Sequence, residues 1–144
     1  MDKALNYLAL ARKAGLVELG EEPVADISRT GRARLIVVAS DASDHTWRRA
    51  KSLVAGTRQQ LIRLPYTKDE MGMAVGRTSL AIAAVTDAGI AKSLVSALDH
   101  PQKYQAVLAV LEEKATQIKM RQQEAKAHQR NKQFGKRKSV KKEH

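Results

Sequence analysis

An α/β layered domain is predicted, on three observations. Four apolar runs alternate with five amphipathic stretches along residues 1–98. One run, "RLIVVAS", is continuous and rich in β-branched residues, the mark of a strand buried on both faces, and "SLAIAAVTD" reads as a further strand. Glycines at 15, 20, 31 and 56 punctuate the segments where turns are needed.

Each element follows from local chemistry. "MDKALNYLALARKAG" reads as a helix with Asp2 as N-cap, Leu5 and Leu8 on its apolar stripe, Arg12 and Lys13 in the last turn, and Gly15 as the stop. "LVEL" is a short strand. "EEPVADISRTG" is a second helix. Pro23 suits a first turn, where N–H groups have no partner, and Glu21, Glu22 and Asp26 lie toward the positive end of the helix dipole. After "RLIVVAS", Asp41 or Ser43 caps the helix "DHTWRRAKSLVAG". "QQLIRL" is the third strand. Thr67 with Glu70 three residues later forms the capping-box pattern of "TKDEMGMAVG". "SLAIAAVTD" is the fourth strand, and "AGIAKSLVSAL" places Ile90, Leu94 and Leu98 four residues apart.

Three segments are expected: a domain over 1–98, a long helix over 99–130 with Pro101 in its first turn, and a disordered basic tail over 131–144. Tyr104, Leu108, Leu111, Ala115 and Ile118 step by 4, 3, 4 and 3. That seam suits docking on the domain or pairing with a second helix, which makes an oligomer through the C-terminal helix an open alternative.

The 144 residues carry a net charge of +11. Residues 1–100 hold 14 Lys/Arg against 11 Asp/Glu, and residues 101–144 hold 12 against 4. Most of the basicity is therefore an appendage. Such an appendage favours polyanions through counterion release, whatever their sequence. Cysteine is absent, which excludes disulfides and thiolate chemistry. His45, His100, His128 and His144 show no ligand spacing, so neither a metal site nor a cofactor is expected. No apolar run approaches the roughly 20 residues of a membrane span, and no secretory layout opens the chain. No membrane partner and a cytoplasmic location are the expectations.

Signatures of catalysis are weak. "GMAVGR" has two glycines four residues apart but lacks the Lys-Ser/Thr ending of a phosphate loop. Asp44 and His45 read as cap and surface residues. Glu21 and Glu22 diverge by about 100 degrees on a helix and do not share a proton. The chain is read as a non-enzyme.

Two loops carry more information. "GEEP" leads from the first strand into the second helix, and "VTDAGI" leads from the fourth strand into the fifth helix. By analogy with parallel sheets, loops at strand carboxyl ends gather on one edge. Both offer a helix N-terminus, and Gly20 and Gly89 permit close approach. Ile90 is either a surface that packs on an unstacked base or the first core residue of its helix.

The leading "LALARKAGLVELG", then "GEEPVADISRTGRARLIVVASDAS" and "LIRLPYTKDEMGMAVGRTSLAIAAVTDAGIAKSL", together resemble the ribosomal protein L-seven-Ae family, in its bacterial YlxQ-like branch, over about residues 3–98. The resemblance implies a three-layer α-β-α sandwich around a small mixed four-stranded sheet, and binding of kink-turn RNA through the two loops. In RNA-binding members the glycine is followed after one residue by Asn-Glu, with Lys three residues after that Glu. Here Gly20 keeps the glycine, Glu22 stands for Asn, Pro23 for Glu and Asp26 for Lys. A carboxylate where a lysine is expected repels phosphate, by roughly 2 to 3 kcal/mol at ~6 Å and an effective dielectric of about 20. Glu22 retains the capacity to accept from a guanine N–H edge. Arg29, Arg32 and Arg34 are candidate compensating phosphate contacts, equally well explained as solvated surface charge. The candidate RNA-binding set is thus Gly20, Glu21, Glu22, Asp26, Arg29, Arg32, Arg34, Thr86, Asp87, Ala88, Gly89 and Ile90. The expected function is non-enzymatic recognition of structured RNA, kink-turn-like or ribosomal, with ribosome association. The alternative is a protein-interaction or dimerisation module that has lost specific kink-turn binding.

Overall fold

A computed structural model describes residues 2–142. The elements are α1 (Lys3–Lys13), β1 (Val17–Leu19), α2 (Glu21–Arg29), β2 (Leu35–Val38), α3 (Asp44–Val54), β3 (Gln60–Arg63), α4 (Lys68–Ala74), β4 (Ile82–Val85), α5 (Ala88–Ala97) and α6 (Gln105–Lys142). The strand order is β1-β4-β2-β3. β2 and β3 are parallel, and β4 runs antiparallel to both β1 and β2. The sheet is mixed, as expected.

Alternation along the strands explains the continuous apolar runs. Leu35, Val37, Ala83 and Val85 face one core with Leu5 and Leu8 of α1, Met71 of α4, and Leu94 and Val95 of α5. Ile36, Val38, Ile82 and Ala84 face a second core with Val24 of α2 and Ala50 of α3. Successive side chains point to opposite faces, so strands covered on both sides have no position for a polar residue. The result is an α-β-α sandwich.

Two compact units divide the chain, Met1–Glu112 and Glu113–His144. The first extends past Leu98, the boundary read from sequence. Tyr104 and Leu111 are buried in the first core, and Val107 and Leu108 pack against it. The opening part of the apolar seam therefore belongs to the domain. Pro101 lies in a turn ahead of α6 rather than in its first turn, and Asp99 makes that turn with φ 59°. Helix α6 continues to Lys142, through most of the stretch read as a disordered tail, a stretch in which Gln, Lys and Arg are good helix formers. Glu143 and His144 lie outside the described residues.

Capping follows the sequence at two helices and departs from it at a third. Thr67 and Glu70 form the capping box of α4. Ser43 caps α3 by accepting from the Thr46 N–H. Asp41 instead accepts from the Lys68 N–H at 2.8 Å, joining the end of β2 to α4. Asp2 occupies the N-cap position of α1 without a side-chain cap bond. Its carboxylate engages Tyr66, whose hydroxyl is pushed from 10.0 up to about 12, first by burial and then by the Asp2 charge and hydrogen bond.

This shift has a stability consequence. A folded-state value above the unfolded one means stability that is fully present below pH 10 and lost as pH rises toward 12. Two pH units correspond to about 2 to 3 kcal/mol. Tyr66→Phe is expected to flatten this alkaline decline relative to wild type in melts taken across pH 9 to 12, while losing the Asp2 hydrogen bond at neutral pH. Superimposable pH profiles for the two proteins would contradict the assignment.

Candidate nucleic-acid interface

The sheet end at Gly20 is assembled from four strand termini. β1, β2 and β3 all point their carboxyl ends toward it, and β4 begins there. The Gly20 N–H donates to the Ile82 carbonyl at 3.0 Å, and the Ala39 N–H donates to the Ala81 carbonyl at 2.9 Å. Gly20 has φ 96° and ψ 164°, a conformation that penalises any side chain.

The partner of the Gly20 turn is the segment between α4 and β4. A β-carbon added to Gly20 would lie 3.9 Å from Nη1 of Arg77. Gly76, Arg77, Thr78 and Ser79 are all exposed, and Met73 behind them is 78% exposed. The segment is folded tightly over α4. The Arg77 N–H donates to the Gly72 carbonyl at 2.8 Å, and the Leu80 N–H to the Lys68 carbonyl at 3.0 Å. Gly72 makes this approach feasible: a β-carbon there would sit 2.8 Å from the Arg77 oxygen and 2.8 Å from the Ser79 nitrogen.

The acids of the turn have partners on α3. Glu21 accepts from the Thr46 hydroxyl at 2.8 Å and lies 3.8 Å from Arg49. Glu22 accepts from Arg49 at 2.9 Å. Arg49 thus serves both carboxylates and offsets part of their charge. Glu22 remains largely exposed at 72%, with acceptor capacity left over. Asp26 pairs with Arg29 at 3.3 Å within α2. Both are well exposed, so the pair contributes little stability, but it moderates the repulsion expected of Asp26.

The second loop singled out from sequence is elsewhere. Because β4 is antiparallel, its carboxyl end emerges at the opposite end of the sheet. The Thr86 N–H donates to the Leu16 carbonyl and the Arg34 N–H to the Val85 carbonyl, both at 2.9 Å. Asp87 caps α5 by accepting from the Ile90 N–H at 2.8 Å. Ala88 is buried, Gly89 is exposed, and Ile90 packs against the core. Arg32 and Arg34 follow α2 at this same end. Four residues of β4 separate the ends by roughly 13 Å. The expectation that "GEEP" and "VTDAGI" share an edge is therefore corrected. Gly20, Glu21 and Glu22 stand at one end, Asp26 and Arg29 along α2, and Arg32, Arg34 and Thr86 to Ile90 at the other.

Sequence reasoning missed Arg49, Thr46 and Arg77. For Arg77 a signal exists in the paired glycines of "GMAVGR", which allow the segment after α4 to fold back over that helix. For Arg49 no local signal existed, since its role depends on α3 lying beside α2.

Among the described residues no helix is long and apolar enough to cross a membrane. No family model matches the chain. Among curated proteins it is similar to the RNA-binding protein YlxQ of Bacillus subtilis, 33% identical over 96 residues that cover 64% of this chain and 91% of that one. It is also similar to the large ribosomal subunit protein eL8 of Haloquadratum walsbyi, 33% identical over 93 residues, covering 64% and 78% of the two chains. Among solved structures, a Bacillus halodurans protein of unknown function superposes with a TM-score of 0.65 at 26% identity, covering 69% of this chain and all of that one. The Giardia lamblia 15.5kD RNA binding protein shares the fold, with a TM-score of 0.58 at 14% identity over 73% and 87% of the chains. A mixed sheet of order β1-β4-β2-β3 between two helical layers, with relatives at this identity along nearly the whole of YlxQ, makes the chain a YlxQ-like member of the ribosomal L-seven-Ae family.

Proposed function

We propose that this protein binds structured RNA, kink-turn-like or ribosomal, without catalysing a reaction, and does so in the cytoplasm in association with the ribosome. The reading surface is the sheet end made by the Gly20 turn and the Gly76–Ala81 segment. The observation that carries this reading is the meeting of the Arg77 guanidinium with a glycine-only turn. With no β-carbon at Gly20, and with only Arg77 Nη1 and Pro23 Cδ within 4 Å of where one would stand, the turn leaves room beside a surface cation for a bent polynucleotide and its phosphate. Names of relatives that bind RNA or belong to the large ribosomal subunit support the class of partner. Glu22 supplies an acceptor for a guanine edge, and the cationic C-terminal segment supplies affinity without sequence preference. Dimerisation through the apolar seam is the weaker alternative, because Tyr104 and Leu111 are already buried within one chain.

The test is a gel shift of the full chain against a kink-turn RNA and a scrambled RNA of equal length. Wild type is expected to prefer the kink-turn by tenfold or more. Arg77→Ala is expected to remove most of that preference while leaving the scrambled complex nearly unchanged. Equal binding of both RNAs by wild type would refute specific recognition.

A further inference from the structure

The segment that carries Arg77 begins at the carboxyl end of a short helix. Helix α4 has 7 residues, about two turns. Val75, at φ −115° and ψ 13°, has already left the helical conformation, and Gly76 follows with φ +74°. The chain then turns back. The N–H groups of Val75, Gly76 and Arg77 donate to the carbonyls of Gly72, Met73 and Gly72, at 3.1, 3.4 and 2.8 Å. These backbone bonds all go to α4, and the bond of Gly76 is long. Carbonyls at a helix end lack an intrahelical donor, so the Val75 carbonyl needs a partner from outside.

Helix α1 supplies it. Nη1 of Arg12 donates to the Val75 carbonyl at 3.2 Å, between residues 63 positions apart. Arg12 stands in the last turn of α1, next to Ala11 and one turn after Leu8, both fully buried. The core therefore fixes the backbone that carries this guanidinium, while the residue itself is exposed. A charged donor on a carbonyl is stronger than an amide donor. Two residues beyond that carbonyl comes Arg77, whose own guanidinium stands beside Gly20. The segment is thus held at its start by α1 and at Arg77 by α4.

We infer that Arg12 is a positioning residue for the Gly76–Ser79 segment: it braces the shape in which that segment discriminates between RNAs, without itself touching RNA. The consequence for discrimination rests on the RNA-binding reading, whereas the brace is a property of the free protein. A guanidinium committed to a protein carbonyl acts by holding its neighbours in place. Its loss therefore weakens the complex with a folded RNA more than the complex with an unfolded one.

Amide hydrogen exchange of the free full-length chain tests the brace, with Arg12→Met and Arg12→Lys beside wild type. In Arg12→Met the Arg77 N–H is expected to exchange about five- to tenfold faster, the scale of one lost hydrogen bond. The amides of Gly31 and Thr57, bonded in exposed turns elsewhere, should keep their wild-type rates. Arg12→Lys retains a cationic donor and should restore most of the protection. An unchanged Arg77 rate, or equal acceleration at Gly31 and Thr57, would overturn the brace. Gel shifts with the kink-turn and scrambled RNAs then test its consequence. Arg12→Met should reduce the kink-turn preference about three- to tenfold, and Arg12→Lys should largely restore it, with the salt dependence of affinity unchanged in both. A slope of log affinity on log salt shallower by about 0.7 to 0.9 in Arg12→Met would make Arg12 a phosphate contact and overturn the assignment. Full preference in Arg12→Met despite a faster Arg77 amide would overturn the role in discrimination. No preference in wild type, with the Arg77 amide still released by Arg12→Met, would refute the proposed recognition and leave the brace standing.

Discussion

Gly72→Ala is expected to cost the protein its RNA discrimination and about 1 to 3 kcal/mol of stability, the range for forcing an extra methyl into a packed site. All three close neighbours of the added carbon are backbone: the Arg77 oxygen at 2.8 Å, the Ser79 nitrogen at 2.8 Å and the Ser79 Cα at 2.9 Å. No side-chain rotation relieves that, so the Arg77–Ser79 segment must lift off α4. The helix gains up to about 1 kcal/mol from replacing glycine by alanine, which reduces the net loss without restoring the loop. A melting temperature lower by roughly 5 to 15 °C is expected, together with equal affinity for kink-turn and scrambled RNA. Gly31→Ala is the control. Its φ is +75° and an added carbon meets nothing within 4 Å. It carries only backbone strain, at the far end of the sheet, and should keep full discrimination. Discrimination lost in both variants would assign the effect to general destabilisation.

Removing residues 113–144 is expected to have the largest effect on affinity. That segment holds 11 Lys/Arg against 3 Asp/Glu, and what remains carries only a small positive excess. Affinity for any RNA should fall on the order of 100-fold at ~0.1 M salt, and the salt dependence should become several units shallower. The ratio between kink-turn and scrambled RNA should persist, because the proposed reading surface is untouched. The place of truncation matters. A chain ending at Glu112 keeps the buried Tyr104 and Leu111. One ending at Leu98 loses both, at about 3 to 5 kcal/mol in lost burial, and would confound a binding defect with a folding defect. Calorimetry of the two shortened chains separates the cases. Equal melting temperatures would contradict the burial argument.

The layered fold was legible because its signals are local or periodic. Apolar runs, glycine stops and the Thr67–Glu70 box each identify an element from a handful of neighbouring residues, and the L-seven-Ae resemblance arranges them in layers. Strand direction is not a local property. "SLAIAAVTD" reads the same in a parallel or an antiparallel strand, yet reversing β4 carries Thr86 to Ile90 from one end of the sheet to the other. For the same reason the Gly76–Ser79 segment, which passes for an ordinary turn in sequence, arrives beside Gly20. The acids of the opening helix were legible as dipole-compatible residues. Their engagement by Thr46 and Arg49 was not, because contacts between residues 25 and 27 positions apart arise only when α2 and α3 pack side by side. A departure from the family pattern at Asp26 was visible at once, whereas the Arg29 side chain that moderates it emerged only with the helix geometry.

The central claim is that RNA sits at the Gly20–Arg77 end of the sheet. Photocrosslinking of a kink-turn RNA to the full chain, followed by mass spectrometry of the attached peptides, tests it directly. The account predicts crosslinks in the peptides containing Gly20–Glu22 and Arg77–Ser79, with none at Thr86–Ile90. Crosslinks concentrated at Thr86–Ile90, Arg32 and Arg34, with the Gly20 and Arg77 peptides unmodified, would contradict it.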